Sequence, residues 1–443
     1  MKRCVLAIAV LVLGGVPSVR AQGLALEDIP LALSGAAPAA VPAASPAAAS
    51  GLPAEAPASE REWLVLVFIN GRSDLASAAV EDVNEMELAG STDKVAITVE
   101  LGLMEDRGVS SRMYIEKDAD ASGDIISPAV KVPNADMGSW KHFVDFARWS
   151  YRKYPAKKVM AVLWNHGSGR IDIGGADNAG AELGIAYDDL TRNFIRNRQL
   201  GMALAEIGKA IGKKVDVYAS DACLMQMASV AYEMKDHAEV IVGAEENVPN
   251  AGFPYDAILS ALAAEPGMGA EALGALVVRE FSGYYSGYGE NSTLSAIRTS
   301  ALPGFVKLLN DWVRAAAVPA GREGVLRAGE AALAFENGYN GNDTSYNALS
   351  RDLYDLVDLA GKSADDGSAL RARGEALKKF ISGRLVVANG TTPAGGEYDR
   401  ARGMAVYYPR LIYDTSYDEN LFAGDSLWDD FLKWKLDPSY KVR

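Results

Sequence analysis

The chain has 443 residues, a formal net charge of −14 and 49% hydrophobic residues. A protein this acidic is a poor candidate for binding nucleic acid or an anionic membrane surface. The length and the hydrophobic fraction are sufficient for one large core or two smaller ones.

The N-terminus has the pattern of a signal peptide over residues 1–21. Lys2 and Arg3 precede an apolar stretch, and Ala21 ends a plausible cleavage site. The apolar stretch is too short for a good membrane span. We therefore expect an exported protein, periplasmic or secreted, without stable membrane insertion after signal removal; an uncleaved anchor is the alternative. Residues 22–61, rich in Ala and Pro, are predicted to form a flexible linker.

Strand-like and helix-like segments alternate from residue 62 onward. Strands are predicted over 63–69, 94–101, 111–117, 157–164, 213–220 and 238–244, and helices over 74–89, 139–154, 201–211 and 224–234. The strand segments are apolar on both faces, which predicts an α/β fold with a mostly parallel sheet flanked by helices. Ligand chemistry then belongs at the carboxyl ends of the strands.

Residues 265–443 are less regular than the predicted core over 62–264. Helices are predicted over 270–285, 304–317 and 346–359, and strands over 292–298 and 403–409. We expect this C-terminal part to extend the same sheet or to pack on the core. Its Trp-containing end, LWDDFLKWKL, is expected to dock on the rest of the fold.

Cys223 is the only cysteine outside the predicted signal peptide. It has no partner for an internal disulfide, so it is either an inert buried residue or a reactive thiol. It follows a strand and is predicted to begin a helix, whose N-terminus would stabilise a thiolate.

His166 also follows a predicted strand, 57 residues before Cys223, and precedes Gly167. An imidazole in this place can act as an acid or base, although a structural loop histidine is the alternative. The other two histidines, His142 and His237, are interpreted as solvated surface residues.

The motifs NHGSG (165–169) and DACLMQMASVAYEM (221–234) together resemble the clostripain family of cysteine peptidases, which has the caspase and gingipain fold. The segments around 62–102 and 244–259 are also similar to that family, and the resemblance is looser over 290–440.

The resemblance implies roles for four residues. Cys223 would be the nucleophile and His166 its acid/base partner, and the N–H groups of Gly167 and Cys223 would form the oxyanion hole. Asp221 would bind a basic P1 side chain of a protein or peptide substrate. A helix N-cap is the alternative role for Asp221.

The family commonly cleaves itself between its His-bearing and Cys-bearing segments. Arg192, Arg196 and Arg198 lie in this interval, so we predict self-processing between residues 170 and 200, with an ordinary surface loop as the alternative.

The segment DADASGD (118–124) resembles the start of a calcium loop, but its twelfth position is Ala129 rather than Glu. We expect no required cofactor, with calcium left open against a simple hairpin. The sequence is thus interpreted as an exported Cys-His endopeptidase that cleaves after Arg or Lys. A catalytically silent exported binding protein on the same scaffold is the alternative.

Overall fold

The structure is a computed structural model that describes residues 61–120, 123–169, 184–335 and 349–443. The predicted signal peptide, most of the predicted linker and the first part of the predicted self-processing segment lie outside these ranges.

The described chain alternates strands and helices through its first two thirds. The strands are β1 (Arg61–Gly71), β2 (Val95–Leu103), β3 (Ser110–Tyr114), β4 (Ala129–Val132), β5 (Ala156–Trp164), β6 (Ile185–Asp188), β7 (Asn193–Ile195), β8 (Val215–Asp221), β9 (Ala238–Gly243), β10 (Ser292–Arg298), β11 (Ala334–Phe335), β12 (Ser350–Asp352), β13 (Val386–Thr392) and β14 (Ala405–Tyr407). The helices are α1 (Ala76–Ala89), α2 (Trp140–Lys153), α3 (Asn197–Ile211), α4 (Ala228–Glu233), α5 (Tyr255–Ala264), α6 (Ala270–Tyr288), α7 (Leu302–Ala316), α8 (Arg322–Ala331), α9 (Leu353–Lys362), α10 (Ala369–Phe380), α11 (Leu421–Asp425) and α12 (Trp428–Leu436).

The central feature is a nine-stranded sheet in the order β13-β10-β9-β8-β5-β1-β2-β3-β4. The inner strands β9, β8, β5, β1 and β2 pair in parallel. The outer strands on both sides pair antiparallel. This arrangement confirms the predicted α/β class with a mostly parallel central sheet, and it aligns the carboxyl ends of the inner strands at one edge.

Strand β1 shows how the sequence produces a sheet with two covered faces. Side chains alternate across a strand. Trp63, Val65, Val67 and Ile69 therefore enter one hydrophobic core, which contains residues of α1, α5 and α6. Leu64, Leu66 and Phe68 enter the other core, which contains residues of α2, α3 and α7. This is why the segment is apolar at every position.

The C-terminal part contributes strands to this sheet. β10 pairs antiparallel with β9, and β13 pairs with β10. The predicted docking of the C-terminal tryptophans is confirmed, because Trp428 is fully buried and its Nε1 donates to the Tyr407 carbonyl at 2.8 Å. No helix within the described ranges is long and apolar enough to cross a membrane.

Candidate active site

The segments carrying His166 and Cys223 leave the sheet side by side. β5 and β8 are neighbouring parallel strands, and their last residues, Trp164 and Asp221, are paired. The Asn165 N–H donates to the Asp221 carbonyl at 3.3 Å, which continues the contact past the strand ends. His166 and Cys223 each follow two residues after a paired strand end, so the fold brings both segments to one edge of the sheet.

Gly167 is in direct contact with the turn that carries the thiol. A β-carbon on Gly167 would lie 2.4 Å from the carbonyl oxygen of Cys223 and 3.0 Å from Cγ of Met225. Gly169, at φ +68°, packs in the same way against the carbonyl of Leu224. Only glycine allows such close approach of two backbones, so the glycines of the NHGSG motif accommodate the turn that carries Cys223.

The backbone around Gly167 is held by β6 and by Gly184, which precedes that strand. Gly167 and Ile185 form an antiparallel bridge, in which Ser168 N–H donates to the Gly184 carbonyl at 2.9 Å and Ala186 N–H donates to the His166 carbonyl at 3.2 Å. The bridge uses the Ser168 N–H and the His166 carbonyl, the groups on either side of Gly167, rather than the N–H of Gly167 itself. This is compatible with the predicted oxyanion role of the Gly167 N–H.

His166 has an acidic neighbour that the sequence did not reveal. Its Nε2 lies 2.6 Å from Oδ1 of Asp74, and the two side chains are 15% and 60% exposed. Asp74 follows β1, the strand next to β5 in the sheet. The carboxyl ends of parallel strands meet at one edge of the sheet, and this rule, which placed His166, applies to Asp74 as well. It is the sequence signal that could have identified this neighbour.

Cys223 is half-buried, and its sulfur accepts a hydrogen bond from the Val248 N–H at 3.3 Å. Burial raises the pKa of this thiol to about 11, and the nearby carboxylates of Glu246 and Asp221 act in the same direction. The expectation that a helix start stabilises the thiolate is wrong, because α4 begins only at Ala228. Cys223 lies in an irregular turn that precedes this short helix.

Asp221 is buried at the end of β8, 4% exposed. Its Oδ2 accepts hydrogen bonds from the Phe253 N–H at 3.0 Å and from the Tyr255 hydroxyl at 2.9 Å. Burial nevertheless raises the pKa of this carboxyl to about 7. The helix-cap alternative is wrong, since α4 starts too far along the chain for Asp221 to cap it.

Two further carboxyls converge on Asp221 from α1. A β-carbon on Gly252 would lie 3.0 Å from Oδ2 of Asp221 and 3.2 Å from Oδ2 of Asp82. Asp82 accepts from Trp164 Nε1 at 2.6 Å. Burial and the charge of Asp256 raise the pKa of Glu85 to about 7. The site thus concentrates carboxyl groups around Asp221. Sequence reasoning missed both α1 residues, because helical spacing does not tell which strand end a helix face meets.

The structure does not support every histidine interpretation. His142 is not solvated: its Nε2 lies 2.7 Å from Oε1 of the buried Glu100, and its ring packs edge-on against Phe68.

As for metals, the described ranges contain no group of three or more His, Cys, Asp or Glu side chains placed to hold an ion. Part of the predicted calcium segment, residues 121–122, lies outside those ranges.

Comparison with known proteins gives matches of three kinds. A model of the clostripain family of peptidases matches residues 67–434. Clostripain from Hathewaya histolytica is 31% identical over 144 residues, which are 30% of this chain and 26% of that protein. The aligned part thus spans about a quarter of the curated relative.

Two solved structures share the fold. The first is a secreted C11 cysteine protease from Bacteroides thetaiotaomicron, in complex with an irreversible peptide inhibitor; it is 18% identical, with a TM-score of 0.61 over 83% of this chain and 99% of that one. The second is an inactive zymogen C11 protease from Parabacteroides distasonis, also 18% identical, with a TM-score of 0.62 over 83% and 98% of the two chains. Because the family model matches most of the chain, this protein belongs to the clostripain family of peptidases.

Proposed function

We propose that this protein is an exported cysteine endopeptidase that cleaves peptide bonds after Arg or Lys. The observation that carries the proposal is the contact between Gly167 and the Cys223 carbonyl. That contact joins the imidazole-bearing and thiol-bearing segments at the carboxyl edge of the sheet.

The proposed reaction uses the two groups in sequence. His166 accepts the thiol proton while the sulfur of Cys223 attacks the scissile carbonyl, and the N–H groups of Gly167 and Cys223 stabilise the oxyanion. The C–N bond then breaks as His166 donates the proton to the leaving amine, which leaves a thioester. Water, deprotonated by His166, hydrolyses the thioester and restores the thiol. Since the resting thiol has a raised pKa, proton transfer accompanies attack rather than preceding it.

The acidic surroundings of the thiol support a basic P1 preference. Asp221, Asp82 and Glu85 each have a raised pKa, which shows that their negative charges are poorly compensated. A guanidinium or ammonium group placed beside Asp221 would supply the missing positive charge. The raised pKa values also imply that binding a cationic side chain releases protons.

A panel of peptides that differ only at P1 tests the proposal with wild type, Cys223→Ala, His166→Ala and the matched control His237→Ala. We expect cleavage after Arg or Lys by the wild type and by His237→Ala, and none by the other two variants. Full activity of Cys223→Ala would refute the mechanism.

A peptide-like electrophile ending in Arg distinguishes the alternative of a silent binding protein. An active site should label Cys223 far faster than a free thiol reacts, whereas a binding protein should show no such acceleration.

We also propose self-processing between residues 170 and 200. The three arginines identified in this interval are exposed. Arg192 lies in the turn between β6 and β7, at φ +57°, while Arg196 and Arg198 lie at the start of α3. Proteases bind extended chains, so cleavage at any of these sites requires local unfolding of the hairpin or of the first helical turn.

A further inference from the structure

The loop between β1 and α1 presents a carboxylate to His166. The 2.6 Å separation between Asp74 Oδ1 and His166 Nε2 is within hydrogen-bonding distance. With Nε2 directed at Asp74, Nδ1 is the ring nitrogen that remains for proton exchange with a thiol. This contact therefore specifies a ring orientation and a tautomer, with the proton on Nε2.

The same loop is fixed by the residue that precedes His166. Asn165 Nδ2 donates to the Asn70 carbonyl at 2.6 Å and lies 3.3 Å from Ser73 Oγ. Ser73 Oγ in turn accepts from the Leu75 N–H at 3.3 Å. The loop that carries Asp74 is thus bound to the histidine segment at two residues that precede the carboxylate.

Arg72 anchors the same loop in the protein interior. The guanidinium of Arg72 is fully buried and donates to Asp188 Oδ2 at 2.9 Å and to the Ala135 carbonyl at 2.7 Å. A buried, paired anchor two residues from Asp74 restricts the freedom of the loop. Asp74 is therefore delivered by a fixed backbone, although its own side chain is exposed.

We propose that Asp74 is the positioning residue for His166 in the reaction proposed above, on which this inference rests. Its carboxylate holds the Nε2–H tautomer and stabilises the imidazolium that forms when the S–H bond of Cys223 breaks and the proton moves to Nδ1. The proton leaves again with the amine, and the carboxylate remains ionised throughout.

The competing explanation is that Asp74 and His166 form an incidental surface ion pair. Exposed pairs of this kind contribute little to stability. The two explanations differ in what they predict for the histidine itself. A positioning carboxylate fixes the tautomer of His166, whereas an incidental pair leaves the tautomer unchanged.

NMR of labelled histidine in the Cys223→Ala background provides the first test, since the chain has only three histidines to assign. We expect Asp74→Asn to reduce the Nε2–H tautomer of His166. Asp74→Glu should restore part of it. Asp189→Asn, which removes an exposed carboxylate from the nearby hairpin turn, is the charge-matched control. An unchanged tautomer in Asp74→Asn would overturn the proposal.

Steady-state kinetics on an Arg peptide provides the second test. Asp74→Asn should lower kcat about tenfold with KM within twofold, and Asp74→Glu should recover part of kcat. No fall in kcat, or an equal fall in Asp189→Asn, would contradict the positioning role. If the wild type cleaves no peptide, the proposed function fails, while the NMR measurement still decides the Asp74 contact.

Discussion

The α-carbon of Gly167 faces the carbonyl of Cys223 so closely that a methyl group there would lie 2.4 Å from that oxygen. Gly167→Ala should therefore displace the turn that carries Cys223, since neither backbone can yield without breaking its strand-end contacts. We expect kcat to fall at least tenfold and the free energy of unfolding to fall by about 1–3 kcal/mol. Peptide cleavage and chemical denaturation measure the two effects. Gly267→Ala is the control, because a methyl group at Gly267 meets nothing within 4 Å; equal losses in both variants would contradict the prediction.

The buried Asp221 should make stability depend on pH. Its pKa lies at about 7 in the folded protein and at 3.8 ordinarily. The folded state therefore binds the proton more tightly, so wild type loses stability as pH rises from about 4 through about 7. Asp221→Asn stays neutral and should be more stable than wild type at pH 8, by roughly 2–4 kcal/mol. The advantage should vanish below pH 4.

Urea denaturation at pH 4, 6 and 8 checks this prediction, with the exposed Asp93→Asn as the charge-matched control. An Asp221→Asn variant that is less stable than wild type at pH 8 would refute it. The same variant should also lose its preference for basic P1 residues, because the positive side chain no longer meets a carboxylate.

The thiol should be slow towards a small, uncharged alkylating agent. With a pKa of about 11, Cys223 is almost entirely protonated at pH 8, and only the thiolate reacts. In the full chain with His166→Ala, iodoacetamide should react on the order of a hundredfold more slowly than with a free cysteine peptide at that pH. Mass spectrometry follows the reaction, and denatured protein gives the reference rate. A rate equal to that of the free peptide would contradict the prediction, because it would show a thiolate fraction no lower than that of an ordinary cysteine.

Self-processing should leave two fragments that remain together. A cut between residues 170 and 200 separates β5 from β8, yet these strands pair from Met160 to Trp164 in the centre of the sheet. Buried strand pairing of this kind should keep the two fragments associated, so that they elute together in gel filtration. Denaturing gels should show two bands for wild type and one for Cys223→Ala. Replacing Arg192, Arg196 and Arg198 together by Gln should abolish cleavage, and persistent cleavage would place the site elsewhere in the interval.

The sequence was sufficient to place the imidazole and the thiol at one edge of the sheet. Apolar segments ending at Trp164 and Asp221 identify buried parallel strands. Because the carboxyl ends of such strands lie at one edge of the sheet, the residues that follow them are placed together. The helix predicted over 224–234 was wrong at its start for a physical reason. The Leu224 and Gln226 N–H groups donate to the carbonyls of Glu246 and Ala244 instead of forming a helical turn. Apolar spacing cannot reveal such a long-range pairing.

The edge strand β13 was missed because Asn389 and Gly390 are typical of turns. In the folded protein, Gly390 lies opposite Leu294 of β10, and a side chain there would collide with Ser282 of α6. The glycine reflects helix-on-sheet packing rather than a chain reversal. The Asp82 contact was hidden for a related reason, since it depends on which helix face meets a strand end.

The pairing of β5 with β8 has a consequence for how this architecture can diversify. The segments that carry His166 and Cys223 leave the sheet on two adjacent strands, so their separation at the sheet edge does not depend on the length of polypeptide joining them. Changes of length between Gly169 and Gly184, which spare the contacts of Ile185 and Asp188, should leave both segments in place. That interval is thus the place where evolution, or an engineer, could add an inhibitory or partner-responsive element without rebuilding the site.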